Sequence, residues 1–232
     1  IQNGRVYCWG RINGMMLPVP HDLNFPEQLA LGGIHACAVK DGMPRCFSTS
    51  ATNDEIFKPP GHIRNVDRIF SGNGYSCATF EGQFDCWGAI HRREHLTNPP
   101  ANIATAQDIA ILDGGYACGL YPDGRIECWG QREPEIRIPR EIESPRRLYG
   151  AGGRYGVCAL QDNSLICWGG GASERINSRD INAENIIDVK GNGPFCVQSS
   201  GQVQCWDICH GSSDSYLQEI RVPRLPSVDD IG

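Results

Sequence analysis

The chain has 232 residues, of which 40% are hydrophobic and 21% are charged, a composition typical of a folded globular protein. Its formal net charge of −6 argues against the basic surface that nucleic-acid-binding proteins carry, so we expect no nucleic-acid partner. No stretch approaches the roughly 18 apolar residues of a transmembrane helix, so we expect no membrane insertion.

Pairs of Cys and an aromatic residue mark a repeat that runs through the whole chain. All five Trp residues follow a Cys, and a sixth copy has Phe in place of Trp. The pairs are Cys8-Trp9, Cys46-Phe47, Cys86-Trp87, Cys128-Trp129, Cys167-Trp168 and Cys205-Trp206. Successive copies are 38, 40, 42, 39 and 38 residues apart. Units of this length, rich in Gly and Pro and without helical periodicity, predict an all-β fold, a β-propeller with about six visible blades.

Each unit also holds a hairpin with two cysteines placed symmetrically about its turn. In CAVKDGMPRC, Cys37 and Cys46 flank Asp41-Gly42, and Asp-Gly is a preferred two-residue hairpin turn. Counting outward from such a turn places the cysteines at a non-hydrogen-bonded pair, within reach of a disulfide. We predict one bridge in each of five hairpins: Cys37–Cys46, Cys77–Cys86, Cys118–Cys128, Cys158–Cys167 and Cys196–Cys205.

The cysteine spacing also separates disulfides from metal sites. Structural zinc sites combine close cysteine pairs, and spacings of nine or ten residues across a turn do not suit them, so we expect no metal and no cofactor. The segment from His91 to His95 spells the His-x-x-Glu-His pattern of some zinc peptidases, but it lies where each unit has an edge loop. Twelve cysteines, mostly paired, indicate an oxidising compartment, and we expect a secreted or extracellular protein.

The two ends of the chain resemble parts of one further unit. Residues 1–10 match the second half of a hairpin with an Asn3-Gly4 turn, and residues 227–232 match the strand that opens each unit. We expect a single propeller domain over residues 1–232, incomplete at its termini, whose ends share a blade. Cys8 and Cys209 lie outside the five pairs, and a Cys8–Cys209 bridge that closes the ring is a further hypothesis.

Strand alternation places a small residue and then the Trp on the hairpin face opposite the cysteines. The small residues are Ala38, Ala78, Gly119 and Ala159. We interpret the Trp residues as structural, each filling the space that a small residue leaves between neighbouring blades.

The segment GGIHACAVKDGMPRCF, with SGNGYSCATFEGQFDCWG and DGGYACGLYPDGRIECWG in the same frame, resembles the regulator of chromosome condensation repeat. The resemblance covers the whole chain and implies a propeller, which in this family usually has about seven blades. An acidic, cystine-rich chain is unlike the nuclear branch, a guanine-nucleotide exchange factor that docks on chromatin. It is similar to the secreted branches, the β-lactamase inhibitor protein II type and the Crinkly-type receptor ectodomains, and this similarity implies extracellular binding.

Aromatic or imidazole side chains come just before the first Cys of successive hairpins. They are His35, Tyr75, Tyr116, Tyr155 and Phe195. Loops at one face of a propeller form its natural binding surface, and Tyr and His combine apolar area with a polar group. We predict that these residues form an exposed arc that binds a partner. The alternative is that they cap the blades and contact only each other.

The sequence shows no motif for catalysis, neither a Gly-x-Ser-x-Gly nucleophile turn nor a recurring carboxylate pair, so we expect no enzyme. The leading hypothesis is an extracellular protein-binding propeller, an inhibitor, receptor ectodomain or assembly component, that uses loops on one face. The alternative is a lectin-like propeller that binds carbohydrate. The segments after each Trp, such as AIHRREHLTN, differ between units, which disfavours a set of identical sugar sites.

Overall fold

Strands and turns make up most of the part of the chain that the structure describes. This computed structural model describes residues 1, 3–8, 17–49, 57–72, 74–89, 96, 98–112, 115–130, 137–150, 156–162, 164–168, 175–176, 186–191, 195–199, 202–210 and 215–220. A short 3₁₀ helix spans Ile103–Thr105. Within these ranges no helix is long and apolar enough to cross a membrane.

Five antiparallel sheets follow one another along the described part of the chain. The strands are β1 (Gln28–Leu31), β2 (His35–Lys40), β3 (Met43–Ser48), β4 (Val66–Ser71), β5 (Tyr75–Phe80), β6 (Gln83–Gly88), β7 (Asp108–Leu112), β8 (Tyr116–Leu120), β9 (Ile126–Gly130), β10 (Arg147–Gly150), β11 (Val157–Gln161), β12 (Ser164–Trp168), β13 (Arg175–Ile176), β14 (Ile186–Gly191), β15 (Phe195–Ser199), β16 (Gln202–His210) and β17 (Ser215–Ile220). Blades 1, 2 and 3 are the three-stranded sheets β1–β3, β4–β6 and β7–β9. Blades 4 and 5 are the four-stranded sheets β10–β13 and β14–β17.

The first strand of each blade lies innermost. β1 lies beside β4, β4 beside β7, β7 beside β10, and β10 beside β14. Consecutive blades therefore succeed one another around a common axis, as in a propeller, and the predicted all-β propeller fold is confirmed. At the amino end, Asn3 and Gly4 form the predicted turn, with φ of 49° and 70°. The other part of the expected shared blade, residues 227–232, lies outside the described residues.

The hairpin turns have the geometry that their sequences predict. Asp41 and Gly42 have φ of 52° and 70°, and Glu81 and Gly82 have φ of 49° and 74°. Positive φ at both central residues is the signature of the type I′ turn, whose twist matches that of the flanking strands. The turn places Cys37 opposite Cys46, with Cα atoms 4.0 Å apart. All five predicted bridges are confirmed: Cys37–Cys46, Cys77–Cys86, Cys118–Cys128, Cys158–Cys167 and Cys196–Cys205.

The hypothesis of a sixth bridge that closes the ring needs correction. Cys8 is a free, half-buried thiol, and burial raises its pKa. The backbone of Cys209 lies in β16 opposite Tyr216, on an extension of the strand beyond the Cys196–Cys205 bridge. The side chain of Cys209 lies outside what the structure describes. No Cys8–Cys209 bridge forms in this structure.

Successive blades pack through unlike faces. The disulfide face of blade 2, with Tyr75 and Cys77, forms one apolar cluster with Ile103 of the 3₁₀ helix and Trp129 of blade 3. A Cβ on Gly119 would lie 3.0 Å from the Ile103 side chain and 3.8 Å from the Trp129 ring, so Trp129 occupies the space beside the missing side chain. The predicted packing of a Trp against a small residue is confirmed here.

The Gly residues that follow Trp87 and Trp129 are required for a different reason. Gly88 and Gly130 have φ of 117° and 112°, a region that side-chain-bearing residues rarely adopt. A Cβ on Gly130 would also collide with the backbone carbonyl oxygen of Gly115. In these Trp-Gly pairs, the Trp side chain fills the interface between two blades. The Gly, which is the last residue of the strand, adopts the positive φ with which the strand ends.

Replacing Gly130 by Ala is expected to lower the free energy of unfolding by about 2–3 kcal/mol, because it adds backbone strain to a clash with main chain. Gly82→Ala is the matched control, since Gly82 also has positive φ, at 74°, but its Cβ would meet nothing within 4 Å. The control is expected to lose only about 1 kcal/mol. Urea unfolding of both variants measures the difference, and equal losses would contradict the explanation.

Candidate functional site

The first residue of the predicted aromatic arc lies between two blades. His35 is only 1% exposed, and its ring stacks on Phe57 with centroids 3.8 Å apart and an interplanar angle of 3°. Its Nε2 lies 2.7 Å from the hydroxyl oxygen of Ser76 in blade 2. Desolvation by burial lowers the pKa of His35 to about 3, so the ring is neutral at physiological pH.

Tyr75 has the same role one blade further on. Its side chain is fully buried, and its hydroxyl donates a hydrogen bond to the backbone oxygen of Leu112 in blade 3. Tyr116 is half-buried against the apolar cluster shared by blades 3 and 4. Tyr155 and the side chain of Phe195 lie outside the described residues.

The expectation of an exposed arc is therefore wrong at His35 and Tyr75, because both side chains are buried between blades. They share a strand face with the first Cys of their hairpin, two residues further on, and that face packs against the next blade. A partner-binding role for Tyr116, Tyr155 and Phe195 stays a prediction.

The described Trp side chains are part of the scaffold. Trp87 and Trp168 are each 1% exposed, and Trp129 is 8% exposed. The indole Nε1 of Trp87 donates to the backbone oxygen of Phe57 at 2.8 Å, which ties the segment entering blade 2 to that blade. Phe57 gives no sequence signal for this role, because it lies in a segment that does not repeat.

A cavity of about 420 Å³ lies between the innermost strands β1, β4, β7 and β10. Polar side chains on its wall bind the backbone of the following blade. Gln28 donates to the Asp67 oxygen at 2.7 Å and accepts from the Ile69 N–H at 3.2 Å.

The equivalent residues of blades 2 and 3 make related bonds. Arg68 donates to the backbone oxygen of Gln107, and Asp108 accepts from the Leu148 N–H at 2.9 Å. We call Gln28, Arg68 and Asp108 the blade caps. Because these polar groups hold the ring together, the cavity wall is part of the scaffold.

The face that carries the hairpin turns, which we call the turn face, is rich in charged pairs. Arg45 lies 2.5 Å from Asp22, and this hydrogen bond lowers the pKa of Asp22. Elsewhere on the face His62 Nε2 lies 2.9 Å from Asp85 Oδ2. These pairs are largely exposed, so each contributes little to stability.

The opposite face, which we call the loop face, carries the connections between the first and second strands of each blade. Leu31, 42% exposed, lies at its edge. β3 pairs with β2 so that Ser48 lies opposite His35, and the segment after Phe47 therefore begins at the loop face. Tyr75 lies opposite Gly88 in the same way, so the segment after Trp87 begins there too. Most residues of these segments, including the His91–His95 motif, lie outside the described residues.

Ten of the described cysteines are paired in the five hairpin disulfides. No group of three or more His, Cys, Asp or Glu side chains in the described ranges could hold a metal ion. Five disulfides favour an oxidising compartment, because cytosolic thiols are kept reduced.

Solved structures of low sequence identity share this fold. The CRINKLY WD40 ectodomain of the Arabidopsis thaliana receptor kinase ACR4 has a TM-score of 0.58 at 20% identity, over 88% of this chain and 73% of that one. The entire ectodomain of the Physcomitrella patens receptor kinase CR4 has a TM-score of 0.61 at 20% identity, over 89% of this chain and 57% of that one. Prp20p from Saccharomyces cerevisiae, which binds Gsp1p and histones, has a TM-score of 0.52 at 15% identity, over 82% of this chain and 58% of that one.

The chain thus spans less than two thirds of the CR4 ectodomain and of Prp20p. No model of a known protein family and no curated protein matches the sequence. The inner strands, the cross-linked hairpins and the buried Trp residues agree with this likeness. The chain is a disulfide-linked β-propeller with the fold of the regulator of chromosome condensation (RCC1) repeat, which the Crinkly ectodomains and yeast Prp20 share.

Proposed function

We propose that this chain is a non-catalytic, extracellular protein-binding propeller that uses its loop face. One observation carries the proposal: the repeated side chains are used inside the molecule. His35, Tyr75, Trp87 and Trp168 are buried between blades, so the repeat itself presents none of them to a partner. What distinguishes one blade from another at the loop face is the segment that follows each Cys-aromatic pair.

These segments differ in charge as well as in sequence. The stretch at 49–56 reads TSATNDEI and carries two acidic residues, whereas AIHRREHL at 89–96 carries two Arg, two His and one Glu. Segments that differ in this way suit one extended partner better than several copies of one small ligand. Five disulfides and the likeness to two receptor ectodomains support a location outside the cell.

The test exchanges residues 49–56 for a Gly-Ser stretch of equal length. The immobilised wild-type chain and the variant are incubated with native extracellular fluid, and captured proteins are identified by mass spectrometry. We expect the main protein partner of the wild type to be retained at least about tenfold less by the variant, because a few residues carry most of the binding energy of an interface.

The matched control changes the turn face instead. Asp22→Ala with Arg45→Ala removes an exposed ion pair and is expected to leave both folding and capture unchanged. Equal capture by the loop variant and the wild type would contradict the proposal, as would capture that a free sugar abolishes in both proteins.

A further inference from the structure

The sulfur of Cys37 has a polar neighbour, whereas the equivalent sulfurs of Cys77 and Cys118 pack in apolar clusters. The sulfur of Cys37 lies 3.1 Å from the hydroxyl oxygen of Ser76 in blade 2. The residues of blades 3 and 4 at the position of Ser76 are Ala117 and Val157. Ala117 packs in one cluster with Cys77, and Val157 with Cys118, so those two sulfurs face apolar side chains where Cys37 faces a hydroxyl.

The hydrogen bonds around Ser76 determine where its proton points. Its oxygen lies 2.7 Å from His35 Nε2 and 2.9 Å from Ser71 Oγ. The other imidazole nitrogen of His35, Nδ1, is buried and has no partner among the described residues. A buried N–H without a partner is costlier than an unused lone pair, so the ring proton belongs on Nε2 and is donated to Ser76. A disulfide sulfur carries no hydrogen, so the Ser76 hydroxyl is the donor in its contact with Cys37, and its oxygen can accept from both His35 and Ser71.

We propose that Cys37–Cys46 is a thiol-exchange site at which a small extracellular monothiol adds reversibly to Cys46. The attacking thiolate forms a new S–S bond with Cys46. The S–S bond between Cys46 and Cys37 breaks, and its electron pair passes to the sulfur of Cys37. One disulfide and one thiolate enter the reaction, and one disulfide and one thiolate leave it.

The solvent exposure of the two cysteines determines which sulfur the thiolate attacks. Cys37 is 0% exposed, whereas Cys46 is half-buried and is therefore the sulfur that a thiol can reach. The leaving sulfur is then Cys37, and the hydrogen bond from Ser76 stabilises its thiolate. Exchange is faster when the leaving thiol has a lower pKa. Cys86 and Cys128 are also half-buried, so the difference between the three bridges lies in the leaving group.

The experiment uses the intact chain and reduced glutathione as the probe. After timed incubation and acid quench, free thiols are alkylated and glutathione on each cysteine is quantified by peptide mass spectrometry. We expect glutathione to appear on Cys46 about five to ten times faster than on Cys86 or Cys128.

Two variants distinguish this cause from a general loosening of blade 1. Ser76→Ala is expected to bring the rate at Cys46 down to that at Cys86, whereas unfolding would raise both rates. Ser71→Ala keeps the contact between Ser76 and Cys37 and is expected to retain the advantage of Cys46. Equal rates at Cys46 and Cys86 in the wild type, or an advantage that persists in Ser76→Ala, would overturn the proposal.

Discussion

Trp87→Ala is expected to lower the free energy of unfolding by about 4 kcal/mol, because it leaves a large cavity at the interface of blades 1 and 2. Trp87 is 1% exposed and packs in one apolar cluster with Cys37, Val39 and Ile69. The variant also loses the bond from the indole N–H to the Phe57 oxygen. Urea unfolding followed by far-ultraviolet circular dichroism measures the change.

Trp87→Phe separates the two contributions. It keeps much of the ring volume but removes the N–H, and we expect a loss of about 1–2 kcal/mol. Met43→Ala is the surface control, since Met43 is 46% exposed, and it is expected to change stability by less than about 0.5 kcal/mol. A loss below about 1.5 kcal/mol in Trp87→Ala would show that the blade interface tolerates the missing ring.

Acidification is expected to destabilise the protein through His35. The pKa of His35 is about 3 in the folded chain and near its ordinary 6.5 when the chain unfolds. Below pH 6.5 the unfolded chain therefore binds more protons, so stability is complete above that pH and falls as the pH drops towards 3. The full loss is about 4–5 kcal/mol, and about 2 kcal/mol of it occurs between pH 6.5 and 5.

Variants at two histidines test this origin. His35→Phe keeps a ring that can stack on Phe57 but cannot be protonated, so the fall in stability between pH 6.5 and 5 is expected to disappear. His62→Asn removes an exposed histidine that pairs with Asp85 and is expected to keep the fall. Urea midpoints measured at half-unit pH steps compare the three proteins. A His35→Phe variant with the wild-type pH dependence would assign the effect to other groups.

The repeated parts of the fold could be predicted because short-range rules determine them. Asp41-Gly42 requires a tight turn, and that turn alone aligns Cys37 with Cys46. The packing of Trp129 beside Gly119 follows from strand alternation. A missing side chain on one strand leaves room for a large ring on the neighbouring strand.

The burial of the aromatic side chains depends both on their position in the strand and on the blade that packs against that strand. His35 and Tyr75 come just before the hairpins in sequence, which suggested loops. They are the first residues of β2 and β5, and each lies two positions from a Cys. Residues two apart share a strand face, so the same alternation that explains the Trp residues places these rings against the next blade.

The blade caps could not be recognised as a repeat, because their side chains differ chemically. An amide donates and accepts, so Gln28 satisfies both a carbonyl and an N–H of blade 2. A guanidinium only donates and a carboxylate only accepts, so Arg68 and Asp108 each satisfy one such group. Three residue types thus meet one structural requirement.

The bond from Trp87 to the Phe57 carbonyl has a consequence for how such proteins diversify. Every amino acid supplies the same main-chain oxygen, so mutations in the preceding segment leave this attachment intact. Lineages that share the scaffold can therefore change the sequence of this segment without losing that hydrogen bond. The same property makes residues 49–56 a suitable place to randomise in a display library.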